Sequence, residues 1–474
     1  MTTESGARAS SPPSRGRLLQ ILGVGFGVAV AVGNAIAAGI VRTPGDIATI
    51  LPNVWLFLGV WVGGAVYALL GAAQLAELGA AVPRSGGQYN YSRRALGEYA
   101  GFIVGWSDWL STCGTNAAVG LVIGEYSGDL FPVLHRYDQA ARAAIGRSFG
   151  HFPTEHIYDK VIAVFVIILF ALLQYRSLRL GSLIQNVSSL LKALAFLAVV
   201  AACFVMGHGG WSTGHAIIQP VGWKLFLGFV LGLQATIYTF DGWDGVIYFG
   251  AEVRDPGRDV PRAIYGSVVS LLGIYLLLNA AVVFVLPMSE IAGNNFALGA
   301  AAQRVFGPHG DTIIRAIMVF SLLSSLNALH LMGTRIIHAM SSDGLFFRPV
   351  ANVNKGGTPT LALALSAAVG VIFAVFSFQR VIAMLAFFFV TNYTLSFVSL
   401  FVLRRREPEM KRPYRAWGYP WTTGAALAGS VLFLLGVLKE DMDNSRLTLL
   451  ALAASYPVFR ALKWAAQRAA RNAA

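Results

Sequence analysis

The chain has 474 residues, of which 56% are hydrophobic and only 12% charged, roughly half the charged share of a soluble domain. That balance excludes an ordinary soluble globule. The formal net charge of +13 would suit a nucleic acid, but the basic residues lie in short loops between long apolar runs, which is the signature of a membrane protein and argues against a nucleic-acid partner.

Residues 1–17 are polar and rich in Ser and Pro, and predict a disordered cytoplasmic N-terminus. The runs Leu18–Val41, Val54–Ala76, Ala263–Ser289, Gly356–Gln379, Val381–Leu403 and Ala416–Leu438 contain no Asp, Glu, Lys or Arg. Each is long enough to span a bilayer, which takes roughly 20 residues. The first is too long for a signal-peptide core and reads as a retained helix. In chain order the pattern predicts about twelve spans, at residues 18–49, 54–80, 98–127, 158–176, 180–207, 223–251, 262–287, 312–340, 359–377, 380–403, 419–438 and 446–464. Cys113 and Cys203 fall in apolar runs and read as small buried hydrophobes. No Cys/His cluster has metal-ligand spacing, and neither a metal nor a cofactor is expected.

With the N-terminus inside, the inner loops collect 24 of the 36 Lys and Arg residues, including the dense Arg404–Arg415 loop. Lys192 lies within a span, and eleven remain outside. This bias places both termini in the cytoplasm of a bacterial-type inner membrane.

The first and sixth spans are interrupted. Gly33-Asn34-Ala35-Ile36-Ala37-Ala38-Gly39 breaks one, and Phe240-Asp241-Gly242-Trp243-Asp244-Gly245 breaks the other. Glycine disfavours helix, and polar residues beside it need partners that lipid cannot supply. The breaks open two successive sets of five spans, residues 18–207 and 223–403, as in inverted-repeat transporters. Residues 404–418 then form a basic loop, 419–464 two further helices, and 465–474 a cytoplasmic tail. A helix broken in mid-membrane exposes N–H groups at one new end and carbonyls at the other. Two such breaks can hold the carboxylate and ammonium of a zwitterion without a charged side chain.

Lys192 follows the charge-free run Leu180–Leu191 and precedes Ala193–Gly207, so each end of the span lies roughly 18–22 Å away. A charge at that depth needs a partner or loses its proton. Asp241 can read a substrate amine or cap the second half of span six. Asp244 reads as a structural hydrogen-bonding group, Asp108 as the same or as a group facing the pathway, and Glu252 with Arg254, Arg258 and Arg262 as an inner gate or loop ion pairs at the inner mouth. His330 and His338 read as satisfied interior histidines. Phe387 and Phe388 are candidates to wall a pocket.

Four stretches carry a family resemblance. They are Gly33…Ile36-Ala37-Ala38-Gly39-Ile40; Pro83-Arg84-Ser85-Gly86-Gly87-Gln88-Tyr89-Asn90-Tyr91 with Gly97…Trp106; Phe240-Asp241-Gly242-Trp243-Asp244 followed by Glu252…Ile264; and Arg335…Gly344 with Thr358-Pro359 and Lys411-Arg412-Pro413-Tyr414. In order and spacing the chain resembles the amino acid–polyamine–organocation transporter superfamily, and looks closest to its sodium-independent, L-type-like amino acid permeases. The resemblance implies an all-α membrane fold of two inverted five-helix repeats plus two helices, the leucine-transporter-like architecture, and transport by alternating access. It places a substrate carboxylate at Ile36, Ala37, Ala38 and Gly39, and its amine at Asp241 and Gly242. Tyr238 is the aromatic gate, with Phe240 behind it. It further implies that Lys192 stands where related carriers bind sodium, against first-helix carbonyls near Ala35–Ala37 and a hydroxyl of Ser324 or Ser325. The family pattern has glycine where this chain has Ala37.

The expected function is therefore a sodium-independent amino acid permease, proton-coupled or exchanging, with a polyamine or organic-amine carrier as the alternative. A substrate-sensing receptor on the same scaffold would call for an added signalling domain, and no loop or tail is large enough. An enzyme would call for convergent catalytic groups, and no GxSxG or HExxH is present. Small-molecule substrate, lipid and protons are the expected partners.

Overall fold

The computed structural model describes residues 20–134, 157–176, 178–207, 209–210, 221–376, 378–440 and 442–473. The N-terminal segment 1–17 lies outside them. Among the described residues the chain is helical, and only two isolated bridge pairs occur, Leu22 with Val253 and Ser85 with Phe249.

Helices α1 (Val24–Ala35) and α2 (Ala38–Ile50) are the halves of the first broken segment, bent by 52°. Helix α3 (Val54–Ala81) starts where the Asn53 side chain accepts the amides of Trp55 and Leu56, two of the donors that a helix start leaves unpaired. A short α4 (Tyr89–Leu96) leads into α5 (Glu98–Leu130), followed by α6 (Ile157–Arg176), α7 (Leu178–Met206) and α8 (Trp223–Phe240). Then come α9 (Pro256–Val285), opened by a proline where no amide is needed, and the short α10 (Met288–Ile291) and α11 (Ala297–Phe306). The chain continues through α12 (Gly310–Ser342), α13 (Thr360–Phe373), α14 (Phe378–Arg406), α15 (Trp421–Glu440) and α16 (Met442–Ala473).

Among the described residues eight helices are long and apolar enough to cross a membrane, and the bent α1–α2 pair makes a ninth. Together with the family pattern above, they make this an all-α integral membrane protein. Helices α5, α13 and α16 fall short in apolarity or length, so these criteria alone do not reach twelve spans. Helix α16 runs through residues 465–473, the expected tail.

Burial separates the central helices from the peripheral ones. In α12 every residue from Ser324 to Ser341 is buried, which places this helix at the centre of the bundle, against α5, α7 and α1. Helices α6, α7 and α8 instead turn Phe165, Leu172, Leu183, Leu190 and Phe226 outward, which is stable only against hydrocarbon.

One expectation is corrected. Span six does not resume as an α-helix after its break. Beyond Phe240 the chain makes turns, a single 3₁₀ turn at Gly245–Tyr248, and a bridge to the start of the first helix, before α9 begins. Two glycines and two aspartates within residues 241–245 disfavour a helix here.

Candidate functional site

At the first break the helical hydrogen-bond ladder fails locally. The Ala37 amide bonds to the Ala35 carbonyl at 2.8 Å, and Ala37 itself is extended. The carbonyls at the end of α1 are then free for other donors. Lys192, on α7 and with no solvent exposure, fills that role. Its Nζ donates to the carbonyls of Gly33 (3.0 Å) and Ile36 (2.9 Å) and to Ser325 Oγ (3.1 Å). Ser325 and Ser321, both on α12, also donate to Gly33 O (2.6 Å) and Ile36 O (3.2 Å). Ser324 does not join them. It bonds to Ser188 of α7 at 2.8 Å, so of the two expected serines only Ser325 meets the lysine.

The Tyr275 hydroxyl on α9 lies 2.8 Å from Ala35 O and 3.0 Å from Thr239 O. It thus sits on the carbonyl ends of both broken helices. A lone hydroxyl in an apolar run needs a partner, and that was the one sequence signal for Tyr275.

At the second break Gly242 adopts φ +100°, a left-handed conformation that favours glycine. A Cβ there would also lie 2.3 Å from Asn34 Nδ2. The two breaks therefore touch, and Gly242 is what lets them.

A cavity opens between them, lined by Asn34, Ala37 and Gly39 on one side and by Tyr238, Thr239 and Asp241 on the other. The amides at the start of α2 have no side-chain cap and form its N–H end. Ile36 is fully buried and contributes its carbonyl to Lys192. Phe240 is also buried, edge-on to Tyr275 at 5.0 Å. It stands behind Tyr238 without lining the cavity. Asp241 accepts a hydrogen bond from Tyr393 of α14 (2.8 Å), and no α-helix follows for it to cap.

The aromatic wall comes from Phe389. Its neighbours Phe387 and Phe388 pack into an apolar cluster with Val381 and Phe433. All three phenylalanines are consecutive, and only helix rotation decides which faces the cavity. His330 is satisfied inside the bundle by Asn116 (2.8 Å) and the Leu326 carbonyl.

Away from the cavity the helices are tied by ion pairs. Arg335 on α12 forms a two-pronged pair with Glu252 at 3.1 and 3.2 Å, both fully buried. The loop arginines expected as partners of Glu252 lie elsewhere, and Arg258 pairs with Asp255 and Asp259. On the same face Asp343 holds Arg84 and Arg93, each at 2.7 Å. At the opposite ends of these helices Arg42 pairs with Glu125, and Arg315 with Asp129 at 2.5 Å. These pairs are more exposed than Arg335 and Glu252.

Known proteins share this arrangement of sequence. Residues 19–448 match the family model described as amino acid permease. The serine/threonine exchanger SteT of Bacillus subtilis (strain 168) is 25% identical over 93% of this chain and 96% of its own. Cationic amino acid transporter 4 of Homo sapiens is 27% identical over 87% of this chain and 64% of its own. The human b(0,+)-type amino acid transporter 1 is 24% identical over 86% and 80%. With its family pattern matched across most of its length, on a helical membrane bundle, the chain belongs to the amino acid permease family.

Proposed function

We propose that this permease carries amino acids across a bacterial-type inner membrane by alternating access, without sodium, with Lys192 as a resident cation. Residues 18–207 and 223–403 act as the two inverted repeats, and both termini face the cytoplasm, the side that the basic loops favour. Substrate binds between the breaks. Its carboxylate meets the free amides of Ala38 and Gly39 at the start of α2, and its ammonium meets Asp241 and the carbonyls after α8. Tyr238 closes over it. The relatives named as amino acid exchangers and transporters support this class of substrate.

The observation that carries the proposal is the setting of Lys192. An ammonium donating to two carbonyls of the broken helix and to a hydroxyl of α12 performs the task of a bound cation, holding α1 against α12. A permanent charge there leaves sodium nothing to add. If the ammonium releases its proton in one conformation, transport is proton-coupled. If it keeps the proton throughout, the protein exchanges substrates and ignores a pH gradient.

The test is uptake of a radiolabelled amino acid panel into proteoliposomes with sodium, potassium or choline outside, at matched and imposed pH. Equal rates in the three salts are expected. Accumulation driven by a sodium gradient overturns the proposal.

A further inference from the structure

A second cavity adjoins the one at the breaks and shares Asn34, Thr115, Asp241 and Phe389 with it. Its other wall carries two more carboxylates, Asp108 of α5 and Asp244 of the second break, each 2% exposed. Among the described residues that line it there is no Lys, Arg or His. The three carboxylates are held by neutral donors. Tyr248 donates to Asp108 Oδ1 (2.9 Å), Gln88 to Asp244 Oδ2 (3.1 Å), and Tyr393 to Asp241 Oδ1 (2.8 Å).

Two buried polar atoms on this wall have no partner, Asp108 Oδ2 and the Asn392 amide nitrogen. The buried cations nearby are committed elsewhere, Lys192 to the α1 carbonyls and Arg335 to Glu252. A buried cavity of acids with an unpaired carboxylate oxygen calls for protons or a cation to enter it. The rings of Tyr248, Tyr393 and Phe389 around it favour an organic cation.

We propose that this cavity receives the charged end of the substrate side chain, so that the permease selects dibasic amino acids. The inference rests on the reading of the two breaks as the amino acid site. The α-carboxylate and α-ammonium stay at the breaks, and the second ammonium or guanidinium reaches Asp108 Oδ2. Asp241, common to both cavities, stands between the two positive charges. A neutral side chain leaves the Asp108 oxygen unpaired, and a site with an unmet buried polar group rejects such a ligand strongly.

The experiment compares uptake of ornithine, lysine and arginine with that of alanine and serine in proteoliposomes, for wild type, Asp108→Asn and Asp108→Glu, with putrescine as competitor. Size-exclusion profiles in detergent check that each variant folds. The wild type is expected to prefer the dibasic substrates. Asp108→Asn, which keeps an acceptor for Tyr248, should lower their uptake roughly ten- to hundredfold, the worth of one charge-assisted hydrogen bond, and raise neutral uptake, since a neutral side chain no longer leaves a buried carboxylate oxygen unpaired. Asp108→Glu should restore part of the loss, and putrescine, with no carboxylate for α2, should compete weakly. The inference fails if wild type prefers neutral amino acids, if Asp108→Asn lowers both classes alike, if it changes only the pH dependence, or if putrescine is the strongest competitor. No uptake of any amino acid by the wild type overturns the permease reading as well.

Discussion

The two helix breaks are built on opposite principles. At the first, the carbonyls of Gly33, Ala35 and Ile36 have found donors: Lys192 and Ser325 at Gly33, Lys192 and Ser321 at Ile36, and Tyr275 at Ala35. At the second, Tyr275 takes the Thr239 carbonyl, but the surroundings are acidic, and Asp108 keeps one oxygen without a partner. The first break is internally balanced and the second is not. A balanced break can be a fixed hinge, whereas an unbalanced one needs something brought to it. Asn34 of the first lies against Gly242 of the second.

Removing the balance is expected to have the largest effect. Lys192→Ala should abolish uptake, or uncouple it from a pH gradient, while the protein still folds. Folding survives because Ser325 and Ser321 still serve Gly33 O and Ile36 O. Losing the ammonium costs about 1–3 kcal/mol per unmet group, enough to move a conformational equilibrium by one to two decades. Proteoliposome uptake alongside a detergent melting curve checks both halves, and undiminished, still-coupled transport would show that the lysine does not hold the hinge.

Crowding the N–H end comes next. A Cβ on Gly39 would already sit 3.2 Å from Thr239 Oγ1 across the cavity. Gly39→Leu should therefore abolish uptake by driving α2 off α8, and Ala38→Leu should do the same by covering the amides. Ala37→Gly should preserve or raise uptake. Normal transport by a folded Gly39→Leu protein would move the carboxylate site elsewhere.

The smallest effect on binding is expected at the gate. Tyr238 lines the cavity, and at the second break only its backbone carbonyl takes part, accepting the Asp241 amide. Tyr238→Ala should slow transport severalfold more than it weakens substrate binding, because closure excludes water after the substrate has docked. Equal losses in both, read by scintillation proximity binding and by uptake, would make Tyr238 a plain contact residue.

Much of this design was legible in the chain itself. Lys192 stood out because an isolated charge between charge-free runs of twelve and fifteen residues has no route to water, and of the partners that the resemblance implied, carbonyls near Ala35–Ala37 and Ser324 or Ser325, it meets Ile36 O and Ser325, with Gly33 O outside that stretch. The choice between Ser324 and Ser325 was not legible, since adjacent residues on a helix differ by about 100° in direction and only the packing against α7 fixes that angle. The same ambiguity hid Phe389 between its neighbours. Glu252 found Arg335 instead of the loop arginines because the fold brings α12 beneath the break, a pairing 83 residues apart in the chain.

By itself the sequence determined the membrane class, the two interruptions and the buried lysine. These follow from local causes: apolar run length, glycine beside polar residues, and a charge with nowhere to go. Tertiary structure alone decided that α8 ends in turns with no second half-helix, that Tyr275 serves both breaks, and that Asp108, Asp241 and Asp244 converge on one cavity from α5 and the loop after α8. Each aspartate taken singly has an adequate local role as a hydrogen-bond acceptor. Their shared charge exists only once helices distant in sequence are packed together, because electrostatic interaction depends on separation in space and on the dryness of the site between them.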